Sequence, residues 1–215
     1  MNLAVLASGR GSNLAALLAA RDAGTLPARF VLVGSDHPDA PALQLARDAG
    51  IATFALRPKD FPDRPAFDRA LFNRIEASGA DLLVLAGFMR VIDGAVLGPW
   101  AGRVLNIHPS LLPKYRGLHT HRRAIEAGDA EHGASVHFVT AELDGGPLIA
   151  QARIAIEPGD DEDALAARLL PWEHRLLPAV VALLAEHRLA LTAAGVTLDG
   201  TPLKAPLRLT EHGLQ

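Results

Sequence analysis

The chain has 215 residues, 49% hydrophobic and 21% charged, with a formal net charge of -3 and no cysteine. A chain of this length can bury about 70% of its unfolded surface in one core, and its interspersed acidic and basic residues lack the basic footprint of a general nucleic-acid binder. Without cysteine there are no thiolate nucleophiles, disulfides or cysteine-held metals; the longest apolar runs, Leu82 to Met89 and Leu176 to Ala185, are too short to span a bilayer, and with no basic N-terminal targeting region the expected compartment is the cytoplasm.

Asn2 to Ala7 is a short apolar run that ends in Ser8-Gly9-Arg10-Gly11-Ser12-Asn13, after which Leu14, Leu17 and Leu18 recur at helical spacing. A strand, a glycine loop and a helix start in this order offer backbone N–H groups and a helix dipole to an anion, and a phosphate is the natural ligand. Two other readings stay open. Gly9-x-Gly11 with Asp36 closing the next apolar run is part of a dinucleotide fingerprint that lacks its third glycine, and a plain turn capped by Ser12 or Asn13 needs no ligand at all.

Strand and helix keep alternating. Phe30 to Gly34 and Ala52 to Ala55 read as strands, Ala40 to Ala49 and Phe67 to Ala77 as helices closed by Gly50 and Gly79. Between them Arg57 to Pro65 reads as a rigid proline loop holding Lys59 and Arg64. Asp81 to Phe88 is a nearly unbroken apolar run, the mark of a central strand buried on both faces, and it exits into Gly87-Phe88-Met89-Arg90. Repeated strand-helix units imply an α/β fold with a Rossmann-like, doubly wound, mostly parallel sheet. Ligands in such sheets sit at the carboxyl ends of the strands.

At one such end stands Leu105-Asn106-Ile107-His108-Pro109-Ser110. Alternate side chains of a strand share a face, so Asn106 and His108 emerge together, and Pro109 stops the ladder because it has no N–H to give. This pair is read as the reactive centre. His119-x-His121 lacks a third ligand of matching geometry and is not read as a metal site. Gly133 to Thr140 alternates as a strand, the acid- and glycine-rich turn Ala141 to Gly146 breaks it, and Pro147 to Ala155 follows as the partner of an antiparallel hairpin. If that turn folds over the strand end, Asp144 can pair with His108 and hold its imidazole in the charged form. Asp160 to Leu184 reads as a long helix with an acidic first turn, carrying Glu173 and His174 between Pro171 and Pro178. Residues 189–215 have short strand-like pieces and a turn at Asp199-Gly200, and form a small appendage to a domain spanning residues 1–188.

The segments Gly9 to Asn13, Leu85 to Arg90, Leu105 to Tyr115 and Gly133 to Gly146, with their spacings, resemble the phosphoribosylglycinamide formyltransferases, folate-dependent enzymes of purine synthesis. The resemblance covers nearly the whole chain. Its most specific element is Asn-x-His-Pro-Ser followed by the strand and the Leu-Asp-Gly-Gly turn, a pattern shared across formyl-folate transferases. A hydrolase of this superfamily is expected to carry an extra N-terminal domain, and a transferase acting on initiator tRNA an extra C-terminal one; neither is expected within 215 residues.

The resemblance implies that Asn106, His108 and Asp144 are catalytic, that Gly11, Ser12 and Asn13 hold the ribonucleotide phosphate and Glu173 its ribose, and that Arg64, Met89, Arg90, Val91, Ile92, Thr140, Ala141, Glu142 and Leu143 line the folate pocket. The phosphate is expected in the N-terminal half and folate in the C-terminal half. It implies 10-formyltetrahydrofolate as a consumed co-substrate with no tightly bound cofactor or metal, glycinamide ribonucleotide as the acceptor, neither nucleic acid nor membrane as partner, and a monomer or homodimer. Two departures from the family pattern stand out. Arg116 takes the place of a common proline, and Leu170-Pro171-Trp172 precede Glu173 where polar residues are expected.

Overall fold

The apolar runs of the N-terminal half all become parallel strands. In a computed structural model, which describes residues 1–215, the chain divides into two units, Met1–Asn106 and Ile107–Gln215. The first is built on β1 (Asn2–Leu6), β2 (Arg29–Ser35), β3 (Thr53–Ala55), β4 (Leu82–Leu85) and the start of β5 (Val104–His108). They lie in the order β3-β2-β1-β4-β5, every neighbouring pair parallel. β4 is buried along its whole length, as its unbroken apolar run predicts.

The chain winds outward from β1 to β3 and then returns to place β4 on the other side of β1. The carboxyl ends of β1 and β4 therefore flank the topological switch point, where open α/β sheets hold their ligands.

Helices α1 (Ser12–Asp22), α2 (Pro41–Asp48), α3 (Arg64–Ala77) and the short α4 (Gly94–Leu97) complete this unit. The proline loop is shorter than expected. Pro58–Asp60 is a 3-10 turn, and α3 begins at Arg64 rather than Phe67 because the Asp63 carboxylate accepts the Ala66 N–H and Pro65 occupies the first turn, where its missing N–H costs nothing.

The second unit carries α5 (Thr120–Glu126) and the hairpin β6 (Glu131–Phe138) and β7 (Leu148–Ala155), paired antiparallel. The helix α6 (Glu162–Ala185) packs on both strands. Asp161 caps it through the Ala164 N–H, and it runs unbroken through Pro171 and Pro178, each of which removes one backbone hydrogen bond. No helix is long and apolar enough to cross a membrane.

The C-terminal segment is more regular than its sequence suggested. β8 (Leu189–Thr192), β9 (Gly195–Leu198) and β10 (Thr201–Pro202) form a small antiparallel sheet, its tight turn at Asp199 and Gly200 using positive φ at both positions. β11 (Leu207–Thr210) then pairs parallel with β7, and β12 (Gly213–Leu214) pairs antiparallel with β11.

Candidate active site

In the first unit the glycine loop and the segment after β4 meet at the switch point. The Ser8 N–H donates to the Gly87 carbonyl at 3.1 Å, and the Ser8 hydroxyl accepts the Met89 N–H at 3.0 Å. Gly11 is the N-cap of α1 in a left-handed conformation (φ 80°), and no side chain caps the helix. The first-turn N–H groups of α1 thus have no capping acceptor from a side chain, which suits an anion. Gly11 is also held by packing, since a Cβ there would lie 2.8 Å from Ala42 Cβ and 2.9 Å from Ala42 Cα. Asn13 is buried and Ser12 half-buried.

Arg64 is exposed at the first position of α3, with its guanidinium 3.9 Å from the Asp93 carboxylate. The Arg90 guanidinium sits over the Phe67 ring at 5.2 Å. Met89 and Val91 are 73% and 45% exposed, unusual for large apolar side chains and what a ligand-facing surface requires; Ile92 is buried.

Beneath this segment lies a residue that the sequence reading passed over. Asp68 is fully buried on α3 and accepts the Asp93 N–H at 2.8 Å. Burial pushes its carboxyl above the ordinary range, while the Asp93 N–H, Arg64 and Arg90 pull it back. Its signal was a charge inside the apolar stripe Phe67, Leu71, Phe72 and Ile75.

Asn106 and His108 are alternate residues of β5 and so share a face; Asn106 is half-buried and His108 is 7% exposed. In the second unit the turn after β6 brings Asp144 to His108, with Oδ2 3.5 Å from Nδ1. Asp144 itself has a left-handed backbone (φ 47°), a conformation that aspartate tolerates better than most residues. Gly146 is obligatory behind it, because a Cβ would lie 1.8 Å from the Phe138 carbonyl oxygen.

The other ring nitrogen of His108, Nε2, lies 2.9 Å from the Tyr115 carbonyl oxygen. A carbonyl only accepts, so Nε2 carries a proton whether the ring is neutral or charged. Asp144 Oδ2 also accepts the Gly117 N–H at 2.9 Å, and Oδ1 is 3.7 Å from His137 Nε2. His137 is buried, which lowers its pKa, and its Nδ1 is 2.9 Å from the Phe138 carbonyl oxygen. That bond fixes the His137 proton on Nδ1.

Thr140, Ala141, Glu142 and Leu143 are all exposed on the turn leading to Asp144. Arg116, the first departure, forms an ion pair with Glu142. The turn also walls a cavity of about 430 Å³ whose far side is Val196 and Leu203 to Pro206 of the C-terminal segment. Glu173 is half-buried on α6, and the neighbouring Trp172 ring lies under the Arg175 guanidinium. The folate-pocket expectations thus fall in both units, Arg64 and Met89 to Ile92 in the first and Thr140 to Leu143 in the second.

Two more histidines meet in the second unit, His132 buried and His121 half-buried. His121 at the start of α5 packs edge-on against His132 of β6, ring centroids 4.9 Å apart. Burial lowers both, His132 from 6.5 to about 4. The unfolded chain therefore binds protons more readily than the folded one, so stability is full above pH 6.5 and is lost as pH falls toward 4. His132 alone contributes roughly 3 kcal/mol to that loss. Urea midpoints measured between pH 7.5 and 4 should fall across this window, and less steeply in His132→Gln. A pH-independent midpoint would show that the folded protein protonates His132 as readily as the unfolded chain does.

Residues 1–181 match the family model for formyl transferase. The chain is 49% identical to the phosphoribosylglycinamide formyltransferase of Escherichia coli K12 over 203 residues, 94% of this chain and 96% of that protein. It is 41% identical to the Haemophilus influenzae protein of the same name, covering 94% and 95% of the two chains. The solved phosphoribosylglycinamide formyltransferase of Coxiella burnetii superposes with a TM-score of 0.90 at 44% identity, over 94% of this chain and 95% of that one. With the Asn106-x-His108 strand, the Asp144 turn and this agreement along almost its whole length, the chain belongs to the formyl transferase family.

Proposed function

We propose that this enzyme transfers the formyl group of 10-formyltetrahydrofolate to the amine of glycinamide ribonucleotide in purine synthesis, with folate as a consumed co-substrate and no tightly bound cofactor. The observation that carries the reading is the approach of Asp144 to His108 at the carboxyl end of the strand that also presents Asn106. The relatives that match over almost their full length, named phosphoribosylglycinamide formyltransferase, support it.

When the amine attacks the formyl carbon, the formyl oxygen becomes an oxyanion and the nitrogen a cation. Both charges need partners. The Asn106 amide and the His108 imidazolium are donors suited to the oxyanion, and one such donor is typically worth about 3 kcal/mol. Because His108 Nδ1 faces Asp144, the oxyanion shares the Nε2–H with the Tyr115 carbonyl that accepts it in the substrate-free protein. Asp144 favours the charged ring and helps pass the amine proton to the folate nitrogen as the carbon–nitrogen bond to folate breaks. The α1 N-terminus with Gly11, Ser12 and Asn13 takes the phosphate, Glu173 the ribose, and Arg64, Met89 to Ile92 and Thr140 to Leu143 the folate.

A single assay tests the reaction. Loss of formyl-folate followed by absorbance should require glycinamide ribonucleotide and match it mole for mole. Equal consumption without the amine would overturn the transferase reading in favour of a formyl-folate hydrolase.

A further inference from the structure

The backbone of Tyr115, Arg116 and Gly117 touches both members of the reacting pair. The Tyr115 carbonyl takes the His108 Nε2–H, the Gly117 N–H donates to Asp144 Oδ2, and the Arg116 side chain ties the segment to Glu142, two residues before Asp144. This segment is held in an unfavourable conformation. Tyr115 has φ 56°, a left-handed backbone that a bulky side chain adopts only when its surroundings impose it.

Those surroundings converge on one carboxylate. Asp129, just after α5, accepts from the Tyr115 hydroxyl at 2.8 Å and from Lys114 Nζ at 2.9 Å through both oxygens. Arg123 lies over the Tyr115 ring at 5.2 Å and donates to the Arg116 carbonyl at 2.6 Å. Asp129 therefore fixes the two residues that lead into the clasp, while Arg123 holds it from α5. An exposed lysine–carboxylate pair is worth little to stability. Its effect here is geometric, since a displacement of about 1 Å at a reacting group can cost on the order of a hundredfold in rate.

We propose that Asp129 is a positioning residue for formyl transfer, acting through Lys114 and Tyr115 to set the Tyr115 carbonyl on His108 and the Gly117 N–H on Asp144. The inference rests on the transferase reading above for its kinetic readout and on His108 geometry alone for its spectroscopic one. Asp144 and the Tyr115 carbonyl thus place an acceptor at each ring nitrogen of His108. The Nε2–H can then fork between the Tyr115 carbonyl and the incoming formyl oxygen. The charged and titratable groups around the pair are Asp144, His137, His121, His132 and Arg116; those around Asp129 are Lys114, Tyr115 and His132.

Asp129→Ala should lower kcat roughly tenfold to a hundredfold at neutral pH with each KM within about threefold. Asp129→Glu should restore most of the rate. Tyr115→Phe, which deletes one hydroxyl and leaves the carbonyl, should cost several-fold and add almost nothing to Asp129→Ala. Thermal melting separates these effects from unfolding, and the Tyr115→Phe result stands if the alanine variant melts early. An unchanged or raised kcat, or a loss that merely follows the melting temperature, would overturn the proposal. The ring-nitrogen NMR signals of His108 in the substrate-free protein should move in Asp129→Ala, whatever reaction the enzyme catalyses. Identical spectra would sink the positioning role even if formyl transfer holds, and a parent enzyme inactive on glycinamide ribonucleotide but with shifted spectra would sink only the transferase reading.

Discussion

His108→Ala should slow formyl transfer on the order of a hundredfold or more, and adding Asp144→Asn to it should slow the enzyme scarcely further. The first change deletes the donor at Nε2, and once the ring is gone Asp144 has no imidazolium to support. The structure makes Asp144→Asn a clean probe of charge. Its amide oxygen can stay where Oδ2 now accepts the Gly117 N–H and faces His108 Nδ1. Its amide nitrogen then turns to His137 Nε2, which is an acceptor because the His137 proton is held on Nδ1 by the Phe138 carbonyl. Geometry is kept and only the negative charge is lost. If that charge is what supports the His108 imidazolium in the reaction, the deficit at neutral pH should narrow on acidification. Rate profiles for the parent, both single variants and the double variant decide the matter. Fully additive losses, with a deficit independent of pH, would mean that Asp144 works apart from His108, in placing folate or relaying the proton.

The residues that could be found in the sequence are those whose chemistry is written by local pattern. The alternation of β5 placed Asn106 and His108 on one face, and the Leu143-Asp144-Gly145-Gly146 turn stood out as an acid- and glycine-rich break between two strands whose carboxylate could meet His108 if it folded over the strand end. Parallel strands followed from repeated strand-helix units, and the ligand edge from the carboxyl ends of those strands.

What stayed hidden depends on contacts that no short window encodes. The Tyr115 carbonyl on His108 is a backbone contact fixed by a left-handed tyrosine and by Asp129, fourteen residues further along the chain. Asp68 was visible only as a charge in an apolar stripe, and its partner, the Asp93 N–H, is a backbone group. The pairing of β11 with β7 escaped notice because a four-residue strand after several turns carries little periodicity. Arg116 read as a departure from the family pattern and proves to be one arm of the clasp.

The glycine at position 11 offers the second large effect. With φ 80° and Ala42 within 2.9 Å of where a side chain would begin, Gly11→Val imposes a β-branched residue on a left-handed backbone and drives the loop away from α2. The backbone of Ala42, which donates its N–H to the Gly9 carbonyl, cannot give way as a flexible side chain could, so the loop moves and takes the first-turn N–H groups of α1 with it. The expected result is a KM for glycinamide ribonucleotide raised on the order of tenfold or more, a KM for formyl-folate within about twofold, and a lower melting temperature. Loss of stability alone would follow from the clash whatever the loop binds, so the deciding measurement is the rise in melting temperature on adding the ribonucleotide. A ligand held by the native loop stabilises the parent in proportion to its occupancy, and that rise should be small or absent in Gly11→Val at the same ligand concentration. A variant that melts earlier yet gains as much from the ribonucleotide as the parent would show that Gly11 serves only packing against α2 and that the phosphate is held elsewhere.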